Sequence, residues 1–186
     1  MTWHLETDRL QLRPMVPDDL DAFFEVVSDP VSMRFYPKPF DREMTRQWIE
    51  RAGERYDRDG YGLLAVVEKA TDELIGDCGP MLMETKHGAF TELGWHIRRD
   101  RQGLGFATES GMACRDYAWA VLDVDRLISI IRPENVPSWS VARGIGFHPW
   151  RSEIRAGMAH IIWTQERPLP SPVRHEPGSR SAVGRC

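Results

Sequence analysis

The sequence predicts a single α/β domain whose central sheet is mixed, mostly antiparallel and flanked by helices. The chain has 186 residues, of which 41% are hydrophobic and 28% charged, as expected of one globular domain with its own core. Segments with helical and strand periodicity alternate in a mixed order, from one strand through two helices and three strands to a helix, a strand, a helix and further strands. Successive strands of this kind favour antiparallel pairing.

The first part of the chain is expected to form one strand and two helices. Apolar and polar residues alternate over 5–13, which predicts the strand. A helix over 17–27 begins at a proline and carries one apolar stripe. Residues 29–40 contain three prolines and are predicted to be irregular. Asp41 suits the N-cap of a second helix that ends at about Tyr56.

Beyond Gly62 the periodicity changes to that of strands. The elements expected there are, in order, strands over 64–68, 74–83 and 90–97, a helix over 106–121, a strand over 126–132, a short helix over 138–143 and a last strand over 158–165. The long helix has a stripe of small residues at helical spacing, formed by Ala107, Gly111, Cys114, Ala118 and Val121. This stripe predicts close packing on the sheet.

The end of the chain differs in composition from the rest. Residues 168–186 are rich in Pro, Gly, Ser and Arg and have few apolar residues to offset the entropy of ordering. We therefore expect one folded domain over 1–167 and a disordered tail over 168–186.

Composition excludes several classes of protein. A formal charge of -4 offers no basic face for nucleic acid. The sequence contains no run of 18 apolar residues, so no membrane span is predicted. The N-terminus lacks the pattern of a signal peptide, which favours the cytoplasm. Cys78, Cys114 and Cys186 are odd in number and far apart, which fits a reducing compartment and predicts no metal site.

A glycine-rich turn lies between a predicted strand and a predicted helix. Gly103 and Gly105 allow backbone angles closed to other residues and let an anion approach the main chain. The first N–H groups of the following helix lack internal partners and lie at its positive end. Together these features predict a phosphate cradle. The sequence is neither a P-loop nor a dinucleotide fingerprint, and a turn with glycines for geometric reasons alone is the alternative.

Several segments resemble one family. The segment Gln102-Gly-Leu-Gly-Phe-Ala107 resembles the Gln/Arg-x-x-Gly-x-Gly/Ala signature of the GNAT N-acetyltransferases. The segments 92–97 and 6–13 are similar to its RimJ/RimL branch, which acetylates the N-termini of ribosomal proteins. Residues 132–138, followed by 144–147, resemble that branch's Pro-Glu-Asn-x-x-Ser…Gly-Phe element.

The resemblance covers about residues 5–166 and implies a GNAT fold, acetyl-CoA as donor and direct transfer of the acetyl group to an amine. For the pyrophosphate, the resemblance implies the backbone amides of Gly103, Leu104, Gly105, Phe106 and Ala107, with Gln102 at the start of the turn. For the pantetheine it implies Asn135 and main-chain groups near Ile97 and Arg98, and these main-chain groups also polarise the thioester carbonyl. Such a site acts mainly by positioning the reactants and stabilising a developing oxyanion.

The thiol side departs from the pattern of many GNAT enzymes. The tyrosine that they place seven residues after the asparagine is replaced here by Ala142. By the resemblance, Ser138 is the candidate to hydrogen-bond or protonate the coenzyme sulfur. The alternative is that Ser138 only caps the following helix.

The base that takes the amine proton is sought on the predicted strand over 90–97. Glu92 and His96 share one face of this strand, and that face is expected to line the cleft. Glu92 is the first choice, directly or through a water, with a solvated glutamate as the alternative. His96 titrates near neutrality but is more often structural in a strand. Trp95 points to the other face and is expected in the core.

The acceptor is expected to be a primary amine, either the α-amine of a peptide or protein or a small polar amine. Residues 35–40 are aromatic and proline-rich and form either a wall of the acceptor site or a hydrophobic connector. A non-catalytic acyl-CoA-binding sensor or interaction module on the same fold is the alternative function, and a homodimer is among the assemblies the chain allows. A phosphate-binding domain unrelated to CoA is a further alternative.

Overall fold

Within residues 4–168, the part of the chain that this computed structural model describes, an eight-stranded sheet carries four helices. In chain order the elements are β1 (Leu5–Glu6), β2 (Leu10–Pro14), α1 (Leu20–Val27), α2 (Arg42–Asp59), β3 (Leu64–Glu68), β4 (Glu73–Thr85), β5 (Gly88–Ile97), α3 (Phe106–Val121), β6 (Arg126–Ile131), α4 (Val136–Gly144), β7 (His148–Arg155) and β8 (Met158–Glu166). Short 3₁₀ turns precede α1 and follow β5. No helix in this part of the chain is long and apolar enough to cross a membrane.

The sheet has the strand order β1-β2-β3-β4-β5-β6-β8-β7. All neighbouring strands are antiparallel except β5 and β6, so the sheet is mixed and mostly antiparallel, as predicted. The parallel pair is registered only at Thr91 with Leu127 and at Glu92 with Ile128. Beyond Glu92 the two strands no longer pair, and the sheet is open between them.

The two faces of the sheet bury separate apolar clusters. Leu64 and Val66 of β3 belong to the cluster beneath α3 and α4. Ala65, which lies between them, belongs to the cluster beneath α1 and α2. This alternation follows from the two-residue period of a strand and places two helices on each face.

Most element boundaries agree with the sequence predictions. The predicted cap of α2 is present, since Asp41 Oδ1 accepts the Met44 N–H at 2.9 Å. This helix runs three residues beyond its predicted end at Tyr56 and stops at Gly60, whose φ of 78° is left-handed. Trp95 packs against the cluster beneath α3 but is only half-buried, and it also lines a cavity beside β5.

Three expectations need correction or completion. The predicted strand over 5–13 is two strands, because the chain turns at 7–9, where Thr7 N–H bonds back to Leu10 O at 3.0 Å. Val121 is 62% exposed at the last position of α3 and does not belong to its packed stripe. The sequence set no bounds for β7, whose buried residue is the charged Glu153 rather than an apolar one. The segment predicted as a disordered tail lies, from residue 169 onward, outside the described residues.

Candidate active site

A cavity of about 540 Å³ opens where β5 and β6 stop pairing. Its walls are residues 92–97 of β5 and 129–132 at the end of β6. The glycine-rich turn before α3 closes one side, and the connection between α1 and α2 closes another. Most of the predicted coenzyme residues and the first part of the predicted acceptor wall, residues 35–37, therefore share one cavity.

The glycine-rich turn has the backbone that a phosphate cradle needs. Gly103 and Gly105 have φ of 77° and 86°, which side-chain-bearing residues rarely adopt. A Cβ at Gly103 would meet no atom within 4 Å, so the main chain there is open to a bulky group. Gly105 is the N-cap of α3 and supplies no side-chain cap. The first amides of the helix are thus available to an anion.

Arg9 holds this turn in place, a role that the sequence did not indicate. Its Nη1 donates to Leu104 O at 3.0 Å and its Nε to Glu109 Oε2 at 2.6 Å. The guanidinium also lies 4.4 Å from the centre of the Phe106 ring. Thr7 Oγ1 donates to Glu109 Oε1 at 2.5 Å. The segment 6–13 resembles the RimJ/RimL branch, and these contacts show that it holds the glycine-rich turn and the start of α3 in place.

Other residues assigned to the coenzyme are partly occupied by protein contacts. Gln102 Nε2 donates to Ile97 O at 2.9 Å and to Ser32 Oγ at 3.1 Å, so its side chain braces the turn against β5 and the α1–α2 connection. The Arg98 N–H donates to Ile75 O at 2.7 Å. Arg98 and Leu104 do not line the cavity, whereas Ile97, Gln102 and the other residues assigned to the coenzyme do.

The start of α4 distinguishes the two interpretations of Ser138. Asn135 is the N-cap of this helix, and its Oδ1 accepts the Ser138 N–H at 3.2 Å. Ser138 is therefore not the cap. Its hydroxyl lines the cavity and has no hydrogen-bond partner within residues 4–168. Ala142, the position of the missing tyrosine, is fully buried in the core.

Glu92 lies where the pairing of β5 and β6 ends. Its Oε1 accepts the Ile130 N–H at 3.0 Å, and beside it Ser129 Oγ donates to Leu93 O at 2.6 Å. These two side-chain hydrogen bonds join β5 and β6 beyond the last backbone pair of the two strands. Burial raises the pKa of Glu92 to about 7, although the bond from Ile130 opposes the shift.

A second polar group extends from the cavity wall into the core. Tyr36 Oη lies 2.7 Å from His96 Nε2, and His96 Nδ1 lies 2.7 Å from Asp77 Oδ1. Trp48 Nε1 donates to the other oxygen of Asp77 at 2.9 Å. Burial lowers the pKa of His96, but the Asp77 carboxylate outweighs it and the net shift is upward. The sequence indicated Tyr36 only as part of the wall over 35–40, and it gave no sign of Asp77, since no local pattern links residues so far apart in the chain.

The predicted acceptor wall over 35–40 is divided. Phe35, Tyr36 and Pro37 line the cavity. Lys38 lies 3.5 Å from Asp41, outside the cavity lining, and Phe40 is buried in the cluster beneath α1 and α2. The segment is thus both a cavity wall and a hydrophobic connector. No group of three or more potential metal ligands occurs among residues 4–168.

Comparison with known proteins agrees with this geometry. Residues 9–148 match the family described as "Acetyltransferase (GNAT) domain". The uncharacterized protein YkkB of Bacillus subtilis is 32% identical over 147 residues, which cover 77% of this chain and 84% of YkkB. The crystal structure of an acetyltransferase from Agrobacterium tumefaciens superposes with a TM-score of 0.77 and 27% identity, over 89% of this chain and 95% of that one.

RimL, a ribosomal L7/L12 alpha-N-protein acetyltransferase solved in complex with coenzyme A, has the same fold. Its TM-score is 0.71 at 16% identity, over 88% of this chain and 98% of that one. The fold together with the family match defines the class as a coenzyme A-dependent acyltransferase. The chain belongs to the GNAT acetyltransferase family. It is an N-acetyltransferase whose acetyl donor is acetyl-CoA.

Proposed function

We propose that the protein acetylates primary amines in the cytoplasm, with the α-amine of a peptide or protein preferred and a small polar amine as the other member of the class. The observation that carries the proposal is one shared cavity, which is lined by the glycine-rich turn, by Phe35, Tyr36 and Pro37, and by Glu92. One cavity suits direct transfer, because both reactants must meet without a covalent enzyme intermediate.

The coenzyme side is assigned to backbone groups. The amides of 103–107 hold the pyrophosphate, and Gln102 fixes the turn against β5. Asn135 has its Oδ1 engaged by Ser138 N–H, so its Nδ2 is the group offered to the pantetheine. The Arg98 N–H is bonded to β4 and is not available to the substrate. The thioester carbonyl is therefore assigned to main-chain groups near Ile97, on the edge of β5 that faces the opening between β5 and β6.

Two side chains are assigned to proton transfer. The free hydroxyl of Ser138 hydrogen-bonds the sulfur and passes it a proton. Glu92 attracts the ammonium form of the acceptor and accepts a proton from its nitrogen as the amide bond forms. A pKa of about 7 leaves much of this carboxyl ionised at neutral pH, so it is able to accept a proton there. These two groups favour an enzyme over a non-catalytic sensor.

The preference for α-amines follows from their acidity. An α-amine, with a pKa of roughly 7.7–8.0, is substantially neutral at about pH 7.5, whereas a lysine of pKa about 10.4 is neutral to roughly one part in a thousand. The wall formed by Phe35, Tyr36 and Pro37 carries no net charge and suits a side chain or ring rather than a polycation.

The test compares two matched peptides, one with a free N-terminus and no lysine, the other N-terminally blocked with an internal lysine. Release of CoA thiol and mass spectrometry of the peptides are measured with acetyl-CoA as donor. We expect turnover of the free N-terminus to be faster by about a hundredfold, following the neutral fractions. Faster turnover of the blocked peptide would refute the ranking. Inactivity on both peptides, with activity on a panel of small amines, would assign the acceptor to that group.

A further inference from the structure

The hydrogen-bonded chain from Tyr36 through His96 to Asp77 has a defined direction. Asp77 is fully buried and paired through both carboxylate oxygens, one to Trp48 Nε1–H and the other to His96 Nδ1. A carboxylate only accepts hydrogen bonds, so His96 carries its proton on Nδ1. His96 Nε2 is then an acceptor, and the Tyr36 hydroxyl donates to it at 2.7 Å.

The outer end of this chain faces the acceptor side of the cavity. Tyr36 is 38% exposed and lines the cavity beside Phe35. Its ring is held by an edge contact with Phe40, at 6.2 Å between centroids, and by a tilted contact with His96 at 5.4 Å. Because the hydroxyl hydrogen points to His96, the lone pairs of the phenolic oxygen remain available to a donor in the cavity.

We propose that Tyr36, His96 and Asp77 form a proton relay that deprotonates the ammonium form of the acceptor before it reacts. The inference rests on the proposed function, since it assigns the first proton acceptor for that amine. Tyr36 is the catalytic residue that touches the substrate. His96 stores the proton, and Asp77, fixed by Trp48, is the positioning residue that sets the tautomer and stabilises the imidazolium.

The proton balance is complete. The ammonium gives one proton to the phenolic oxygen while the phenol proton passes to His96 Nε2, so Tyr36 is neutral before and after the step. The nitrogen lone pair then forms the C–N bond as the C–S bond breaks. Glu92 takes the second proton from nitrogen, and the sulfur receives one at Ser138. His96 and Glu92 return their two protons to solvent, and Ser138 takes one from solvent to replace the proton it gave to sulfur, so one proton is released per acetyl group.

The titration of the groups agrees with these roles. Asp77 shifts the pKa of His96 upward against burial, which makes the imidazole a better proton acceptor. Burial, together with the Asp77 and Glu92 carboxylates, raises the pKa of Tyr36, so the phenol stays protonated and transmits a proton rather than storing charge. Within residues 4–168 the titratable groups hydrogen-bonded to His96 are Tyr36 from the α1–α2 connection and Asp77 from β4. Glu92, four positions earlier on the same strand, acts on Tyr36.

The first test is the pH dependence of kcat/KM for the free N-terminal peptide in the parent, in Tyr36→Phe and in Tyr61→Phe. Tyr61 lies outside the cavity and serves as the matched control. The comparison begins at about pH 7 rather than lower, because the raised pKa of His96 keeps more of the imidazole protonated in acid. At about pH 7 roughly one α-amine in seven is neutral, so we expect Tyr36→Phe to lose roughly fivefold. At about pH 9 the amine is neutral without help, and the loss should shrink to less than about twofold. A loss that is the same at both pH values would make Tyr36 structural and overturn the relay.

The second test needs no turnover. NMR titration of the imidazoles, with His96 assigned by its loss in His96→Gln, should give a lower pKa for His96 in Asp77→Asn than in the parent. An unchanged His96 pKa would overturn the relay. If the parent acetylates no amine yet binds acetyl-CoA and passes the NMR test, the proposed acceptor class fails while the coupling of His96 to Asp77 stands.

Discussion

The two sides of the cavity are built in different ways. The proposed coenzyme side depends on backbone geometry set by two local signals, the left-handed glycines that lead directly into the uncapped start of α3 and the Asn135 cap of α4. The acceptor side depends on side chains from distant segments, since Tyr36 reaches His96 across 60 positions and Trp48 reaches Asp77 across 29.

This difference predicts how each side fails. A backbone cradle should fail as a whole when one glycine gains a side chain, because Gly103 and Gly105 have left-handed φ values that side-chain-bearing residues rarely adopt. A hydrogen-bonded set of side chains instead loses one donor or acceptor at a time, and its failure depends on pH and substrate. Substitutions on the coenzyme side should therefore abolish acetyl-CoA binding, and those on the acceptor side should lower the reaction rate by an amount that depends on pH and substrate.

The largest effect is expected for Gly105→Glu. The new carboxylate would occupy and repel the pyrophosphate site, so acetyl-CoA binding measured by calorimetry should be lost. Gly157→Glu is the matched control, because Gly157 also has a left-handed φ of 77° but lies in the β7–β8 turn. Each variant carries strain of about 1–3 kcal/mol. Equal affinity in Gly105→Glu and the parent would remove the cradle from the account.

A smaller effect is expected for Ser138→Ala, on the border between the two sides. We expect kcat to fall by roughly ten- to a thousandfold, with little change in acetyl-CoA affinity, because the hydroxyl acts on the sulfur during the reaction. Ser140→Ala is the control, since its hydroxyl donates to Val136 O within the helix. If kcat is unchanged and the free energy of unfolding falls by about 1 kcal/mol, Ser138 has only a structural role.

The smallest effect is a pH-dependent change in stability for Glu92→Gln. The raised pKa of Glu92 means that the folded protein favours the protonated carboxyl, so this contribution to stability is full below the unfolded pKa and is lost as the pH rises towards about 7. Glutamine keeps an acceptor for Ile130 N–H without the charge. Relative to the parent, the variant should gain on the order of 2 kcal/mol between about pH 5 and pH 8.

Thermal or denaturant unfolding at the two pH values measures this gain, with the exposed Glu134→Gln as control. In the parent, protonation of Glu92 near pH 7 should lower kcat/KM on the acid side of the pH profile, and Glu92→Gln should lack this pH dependence. A pH-independent difference in stability would mean that Glu92 is not held in the environment described, and it would weaken its role as proton acceptor.

The local structure of the proposed coenzyme side could largely be predicted from the sequence because its signals are local. The bounds of β3 and α3 agree with their predicted ranges, and the glycines and Asn135 lie where the turn and the helix start require them. Periodicity, caps and glycines act over a few residues, so one sequence is enough to find them.

The acceptor side could not be predicted because its bonds are long-range. His96 was found as a candidate, but nothing near it in the chain indicates that Asp77 fixes its tautomer or that Tyr36 covers it. Arg9 was missed for the same reason, since its partner Glu109 is 100 positions away. The edge strand β7 was left without bounds because Ile154 is 70% exposed and Glu153 is buried, the reverse of the usual pattern.

The most direct test of the shared cavity is amide hydrogen exchange with and without acetyl-CoA. When acetyl-CoA binds, we expect slower amide exchange at 103–107 and along 93–97 of β5. Exchange in the β7–β8 hairpin should not change, and it serves as the internal control. Binding of acetyl-CoA without protection at 103–107, or with protection confined to another surface, would contradict the account.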